Sequence, residues 1–397
     1  MFSKFEHIFR NKAVILNPSG CHSDPALAGE VHAVEDSSLC DLLRAGFVKD
    51  LSAGAEGCFS RQGGISMTPT RLFECIFNVR IPYFGLFQKW KLLLPALLGL
   101  IVSCTLHAET KPFSLAGQFD AERAFKHVQK QVEFGPRPSG SAELKKTREY
   151  LAGELRACGL DVQEQAFTQA TPRGPIEFVN LVAGAPRKGA SSLWPDRRKI
   201  LVLASHYDTK WLPKVRFVGA NDSASSTAVL LEVARVVAQA RFNPSKVRIQ
   251  FVFFDGEEAI QDYGATDGLY GSRYFVQQAR AKKNLSQVQA MVLLDMIGDR
   301  DLSIQIAGGN DKLTQQIFEA ARTLGFRDSF RLGHGPMMDD HAPFVSEGIP
   351  AIDLIDFQFG PGNRWWHTTE DTLEKISPQS LKIVGQTVLE FLQNFQR

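Results

Sequence analysis

Five side chains that can hold a divalent cation follow one another along the chain as His206, Asp222, Glu258, Asp295 and His367. His206, Glu258 and Asp295 stand just past apolar runs that read as buried strands. Imidazoles and carboxylates from separate strand ends meet only in a folded pocket. That mixture of donors suits Zn2+, which polarises a carbonyl or activates water. The neighbours Asp255-Gly256-Glu257-Glu258, Asp339-Asp340-His341 and Trp365-Trp366-His367 decide between those uses.

Alone, most of these residues also have a plain structural reading. His206 reads equally as a loop histidine, Asp222 as the cap of the helix behind it, and Glu257-Glu258 as a solvated strand end. Asp295 is stronger, because it ends the run Met291-Val292-Leu293-Leu294 and needs a cation or hydrogen-bond donors to stay charged there. Two adjacent tryptophans beside His367, in a Gly/Pro-rich loop, suggest a ligand platform. Five such residues, each just beyond an expected element, point jointly to one site.

The elements that must position them alternate from about residue 111 onward. Helices are expected over 120–134, 141–158, 224–240 and 312–324, and from about 271 and 378. Strands are expected over 162–167, 178–183, 199–205, 247–254, 290–294 and 351–355. This predicts an α/β fold of three layers, αβα, with a mostly parallel, twisted mixed sheet between helices on both faces. Ligands of such sheets bind beyond the carboxyl ends of the strands, where His206, Glu257, Glu258 and Asp295 fall.

Composition narrows the partners. The 397 residues carry a formal net charge of only +2 and no isolated Lys/Arg stripe, so a nucleic-acid partner is not expected. Of the six cysteines, Cys21, Cys40, Cys58, Cys75 and Cys104 precede the catalytic region, and Cys158 alone lies within it. One cysteine makes no internal disulfide. Residues 1–66 lack sustained periodicity and read as unstructured, or as a spurious extension upstream of Met67. Residues 67–108 place Arg71, Arg80, Lys89 and Lys91 before a short apolar run, 92–102, which suits an export signal or a membrane anchor. Ile101-Val102-Ser103-Cys104 is lipobox-like, and Leu106-His107-Ala108 suits cleavage by signal peptidase. The expectation is an exported enzyme, periplasmic, secreted or lipid-anchored via Cys104, touching membrane only through this segment. Residues 111–397 read as a single catalytic α/β domain.

The segments Phe134-Gly135-Pro136-Arg137, His206-Tyr207-Asp208, 219–227, 254–259, 293–298, 339–344 and Trp366-His367-Thr368 resemble the zinc-dependent glutaminyl-peptide cyclotransferases of animal type. These share a fold with zinc aminopeptidases. The resemblance runs in order over about 115–396. It implies conversion of N-terminal Gln, and by extension Glu, of peptides and proteins to pyroglutamate with release of ammonia. It further implies one zinc on Asp222, Glu258 and His367, with the fourth place open to substrate. Glu257 becomes the proton shuttle, Asp295 and Asp339 hydrogen-bonding partners that steady the shuttle and the leaving group, and Trp366 a wall for the substrate side chain. A cis peptide is implied at Asp222-Ser223.

A two-zinc aminopeptidase is the main rival, with His206 and Asp295 on a second metal and Asp222 bridging; a non-catalytic binding domain is a third reading. Asp339, Leu294 and Trp366 stand where similar aminopeptidases carry other residues, and intact Glu257 opposes the third reading. His206 and Asp208 are left as second-metal or structural residues. The chain also departs from the animal pattern. Ser205 and Thr227 replace a cysteine pair, Tyr263 replaces a tryptophan near the substrate, and Asp353 replaces a histidine. The missing disulfide and the export segment resemble bacterial relatives.

Overall fold

Alternating apolar and amphipathic stretches build the expected three-layer α/β architecture. The computed structural model describes residues 14–16, 65–67, 113–186, 198–242, 247–333, 335 and 337–395. In the N-terminal unit, residues 1–110, the short strands β1 (Val14–Leu16) and β2 (Ile65–Met67) pair antiparallel. The other readings made for 1–66, and those for the export segment 67–108 and Cys104, lie outside the described residues. No helix among the described residues is long and apolar enough to cross a membrane.

In the second unit, residues 111–397, eight strands form one sheet in the order β3-β4-β6-β5-β7-β10-β8-β9. They are β3 (Asp161–Thr171), β4 (Gly174–Gly184), β5 (Lys199–His206), β6 (Val247–Phe254), β7 (Val288–Asp295), β8 (Ile304–Ala307), β9 (Phe330–Leu332) and β10 (Ala351–Ile355). The centre, β6-β5-β7-β10, is parallel. The β3–β4 hairpin runs antiparallel to β6 on one side, and β8 runs antiparallel to β10 on the other. The hairpin is longer than the sequence pattern suggests because β3 is largely exposed and carries little apolar signal. β8 and β9, only four and three residues long, are too short to carry a sequence pattern.

Period-two alternation divides the side chains between two cores. Leu201, Leu203, Phe251, Phe253, Val292 and Leu294 face the larger one. Val202, Ala204, Val252, Phe254, Met291 and Leu293 face the smaller. The larger core is closed by α1 (Ala121–Phe134), α2 (Ala142–Ala157), α3 (Ala224–Gln239), α5 (Asp311–Thr323) and α7 (Pro378–Asn394). The smaller is closed by α4 (Tyr270–Ala281) and the one-turn α6 (Ala342–Ser346). Asp120, Ser141, Asn310 and Ser377 cap α1, α2, α5 and α7, each side chain accepting from a backbone N–H three residues on. α3 starts without a side-chain cap, directly beneath the candidate site.

Candidate active site

Strand ends and the loops tied to them deliver each donor. His206 ends β5 and Asp295 ends β7. Glu257 and Glu258 follow β6 through Gly256 (φ +75°), where a Cβ would lie 2.5 Å from the Phe178 ring. Asp222 closes a tight loop before α3, and at Gly219 (φ +52°) a Cβ would meet the Asp222 carbonyl oxygen at 1.9 Å. Ser223, not Asp222, occupies the N-cap of α3, so the aspartate carboxylate is not spent as a cap. The Asp222-Ser223 peptide is cis. His367 comes from the loop after Pro361–Asn363, at φ +55°.

The five donors converge as two triads that share Asp222. His206, Asp222 and Asp295 offer atoms within 4.8 Å of one another, and so do Asp222, Glu258 and His367. Asp222 Oδ1 lies 3.3 Å from His206 Nε2, and its Oδ2 lies 3.2 Å from His367 Nε2. His206 Nε2 is also 3.1 Å from Asp295 Oδ1, and His367 Nε2 is 2.9 Å from Glu258 Oε1. Burial opposes ionisation of Asp222, but its bonds to His206 and His367 hold it below the usual carboxylate range. Burial likewise opposes charge on His367, yet Glu258 and Asp222 together raise it to about 10.

The hydrogen-bond donor to the Glu257 side chain is Tyr263. Tyr263 Oη donates to Glu257 at 2.9 and 3.1 Å and reaches Glu258 Oε2 at 3.2 Å. Among the described residues, neither Asp295 nor Asp339 bonds the Glu257 side chain. Asp295 is turned to His206, and Asp339 Oδ1 accepts from the Asp340 N–H at 2.5 Å. Both aspartates are buried; Asp295 is among the carboxylates that push Glu257 up, and Glu257 is among those that push Asp339 up. Tyr263 keeps one side at the surface, 36% exposed, which puts it at the mouth of the site. Trp366 is half-buried and stacks on the His367 ring (4.0 Å, 22°), with Phe357 edge-on to it at 5.0 Å.

The supporting residues are as buried as the donors. Asp208 accepts from the Glu257 and Glu258 N–H groups at 3.2 and 3.3 Å, so it fastens the loop that follows β6. Asp371, which no sequence pattern singled out, accepts from the Asn221 and Asp222 N–H groups at 2.6 and 3.1 Å. Burial lifts its pKa to about 8. Arg137, fully buried, donates to the carbonyls of Tyr207, Val218 and Gly219 and so ties three loops together. Where the animal pattern has a cysteine pair, Ser205 and Thr227 bring their oxygens within 3.3 Å, and both donate to the His206 carbonyl, at 2.9 and 2.7 Å.

Charge balance tests whether a cation fits. Asp222, Glu257, Glu258, Asp295, Asp339, Asp340 and Asp353 are all buried here, facing two imidazoles and Lys210, whose Nζ is 3.9 Å from Glu258. Both carboxyl oxygens of Asp340 and Asp353 have no hydrogen-bond partner among the described residues. Burial, reinforced by neighbouring carboxylates, pushes Glu258 up and Glu257, Asp339 and Asp353 well up. So many buried acids without matching cations, around triads of His, Asp and Glu, form a donor set that suits a divalent metal.

A mixed α/β sheet with paired donor triads at the carboxyl edge of its parallel centre defines an enzyme of the zinc aminopeptidase-like fold. Residues 180–392 match peptidase family M28. A glutaminyl-peptide cyclotransferase-like protein of Mus musculus is 30% identical over 318 residues, covering 72% of this chain and 79% of its own. The glutaminyl-peptide cyclotransferase of Drosophila melanogaster is 32% identical over 266 residues, covering 61% of this chain and 72% of its own. A solved structure, the glutaminyl cyclase of an Acidobacteriales bacterium, superposes with a TM-score of 0.65 at 33% identity, over 73% of this chain and 97% of that one. The chain belongs to peptidase family M28 and, within it, to the glutaminyl cyclases.

Proposed function

We propose that the chain is a zinc-dependent glutaminyl-peptide cyclotransferase, an acyltransferase that turns the N-terminal Gln of peptides and proteins into pyroglutamate and releases ammonia. The observation that carries this reading is the buried carboxylate of Glu257 next to the donors Asp222, Glu258 and His367, in a chain 33% identical to a bacterial glutaminyl cyclase. Bound at those three residues, zinc supplies Lewis-acid polarisation of the substrate's γ-carboxamide oxygen.

The chain's own residues do the rest. An N-terminal Gln carries its nucleophile, the α-amine, at five-ring distance from its γ-carbon, so the pocket has to fold the substrate and not recruit water. Glu257 takes a proton from the attacking amine and returns it to the departing nitrogen. The ring C–N bond forms, the carboxamide C–N bond breaks, and ammonia leaves. Burial raises the Glu257 pKa well above the carboxylate range, although His206 pulls it down. Tyr263 holds both Glu257 oxygens and fixes their aim.

The second triad, His206, Asp222 and Asp295, is what a two-metal aminopeptidase also needs. A Gln-initiated dipeptide separates the readings: we expect pyroglutamate and ammonia from zinc-loaded protein with one zinc per chain. Free amino acids without pyroglutamate would overturn the cyclotransferase reading. The residue pattern of 67–108 supports export, with Cys104 as the lipidation candidate. Replacing Cys104→Ala should then release a membrane-bound enzyme into the soluble fraction.

A further inference from the structure

The end of the parallel sheet opposite the donors is basic. Lys199 is the first residue of β5, about 23 Å along the strand from its last residue, His206. Lys282 and Lys283 follow the last turn of α4. That helix starts at the site edge, where the Tyr270 N–H donates to the Gly256 carbonyl, and runs away from it. Lys199 Nζ donates to the carbonyl of Ser286, 87 residues on, at 2.6 Å, which ties the strand to the turn that follows the two lysines. All three lysines are exposed, and among the described residues none has an acidic partner. Glu347, the acid that reaches this end of α4, is paired with Arg280 at 3.0 Å. The fold assembles the patch from distant segments, so no basic run marks it in the sequence.

The chain enters the unit 111–397 at the same end. The Leu115 N–H donates to Gln393 near the end of α7, and the Gln118 carbonyl accepts from Arg235 in the second half of α3. Both helices start at the site edge and run away from it, α3 behind Asp222 and α7 where the Ser377 N–H donates to the Gly298 carbonyl just past β7. Phe113 is 61% exposed. Ten residues, 103–112, separate it from the apolar run 92–102 and reach at most about 35 Å. An anchor in that run, or a lipid on Cys104, attaches the unit to a bilayer by this end.

We propose that this end is a docking face for an anionic bilayer, with Lys199, Lys282 and Lys283 on phospholipid headgroups and the candidate active site turned away from the membrane. The inference rests on the export reading of 67–108 and adds a second membrane contact to that segment. Each lysine at an anionic surface strengthens binding about fivefold, and the attraction fades beyond a Debye length of about 10 Å in 0.1 M salt. The tether keeps the face close to the headgroups, where such short-ranged contacts suffice to orient the unit. Turned outward, the donors meet peptide N-termini from the aqueous side.

The test uses the full-length chain on vesicles of phosphatidylcholine alone or with about one third phosphatidylglycerol. Acetylation of each lysine by a membrane-impermeant reagent is followed by mass spectrometry. Labelling of Lys199, Lys282 and Lys283 should fall about fivefold on the anionic vesicles and recover in about 1 M salt, while Lys214, exposed on the loop between His206 and Asp222, keeps its rate. Binding should be about a hundredfold tighter on the anionic vesicles. The triple variant Lys199→Gln, Lys282→Gln, Lys283→Gln should erase that margin and leave turnover of a Gln-initiated dipeptide in solution unchanged. Should it not fold, Lys283→Gln alone is expected to cut the margin about fivefold. Equal labelling of the three lysines on both vesicles, or protection of Lys214 in their place, would sink the proposal. So would a margin that survives the variants, which would hand the preference to Arg71, Arg80, Lys89 and Lys91, and so would protection by soluble polyphosphate with none on vesicles. Protected lysines on the anionic vesicles, with no binding at all to phosphatidylcholine, would support the docking face and sink the anchor reading instead.

Discussion

Glu257 and Glu258 are adjacent in sequence and both accept from Tyr263, but only Glu258 also meets His367, and the proposed function gives them different roles. Glu257→Gln keeps the volume and removes the base, so turnover should fall about 10²–10⁴-fold while zinc content by metal analysis stays unchanged. Full activity in that variant would remove Glu257 from the mechanism. Another residue makes a prediction about pH. His127 is buried on α1, with Nδ1 2.5 Å from Tyr150 Oη. Burial, with the Arg123 and Arg235 charges, lowers its pKa to about 4. The unfolded chain takes a proton near 6.5 that the folded chain refuses. Stability is therefore full above that pH and falls through the window down to about 4, by about 1.4 kcal/mol per unit. Denaturant midpoints at pH 7.5 and 5 should register the loss, and His127→Gln should flatten it; an unchanged slope would clear His127 of the effect. The candidate metal donors were legible as single letters at strand ends, His206 and Asp295, and in the loops beyond them, Asp222, Glu258 and His367. Tyr263, Asp371 and Arg137 were not legible in their roles, because their partners are set by loop closure and carry no spacing signal.

At the scale of elements, the junction of β5 with α3 holds Asp222 in place. Ser205 from the strand and Thr227 from the helix meet there at 3.3 Å. Replacing both, Ser205→Cys with Thr227→Cys, should allow a disulfide and raise stability by up to about 3 kcal/mol, since a loop of roughly twenty residues is closed. Mass spectrometry and melting with and without reductant would check it, and a pair that stays reduced in air would show that the backbones do not approach as described. The elements legible from sequence were those with dense apolar signal. β6 and β10 fall on the expected residues, and β5 and β7 within two. The edge strands were harder: β3 buries little, β9 buries only Phe330, and antiparallel pairing of β8 to β10 depends on a connection that no periodicity encodes.

For the molecule as a whole, the parallel centre of the sheet collects strand ends, and with them acidic residues, at one edge. On the zinc reading proposed above, that concentration of buried charge ties the stability of this unit to a bound cation. Chelation should lower the melting temperature by several degrees and zinc should restore it, a contribution on the order of 4 kcal/mol when free zinc exceeds Kd a thousandfold. No change in melting on chelation would mean that the triads fold without a metal.

The hydroxyls of Ser205 and Thr227 carry one more consequence. Oxygen, not sulfur, secures the strand that presents His206, and among the described residues the one cysteine is the free Cys158, at the far end of α2. Among the described residues, thiol reductants therefore have nothing to cut near the donors. The site should assemble and turn over equally well in a reducing medium and an oxidising one, which frees its activity from the redox state of its surroundings.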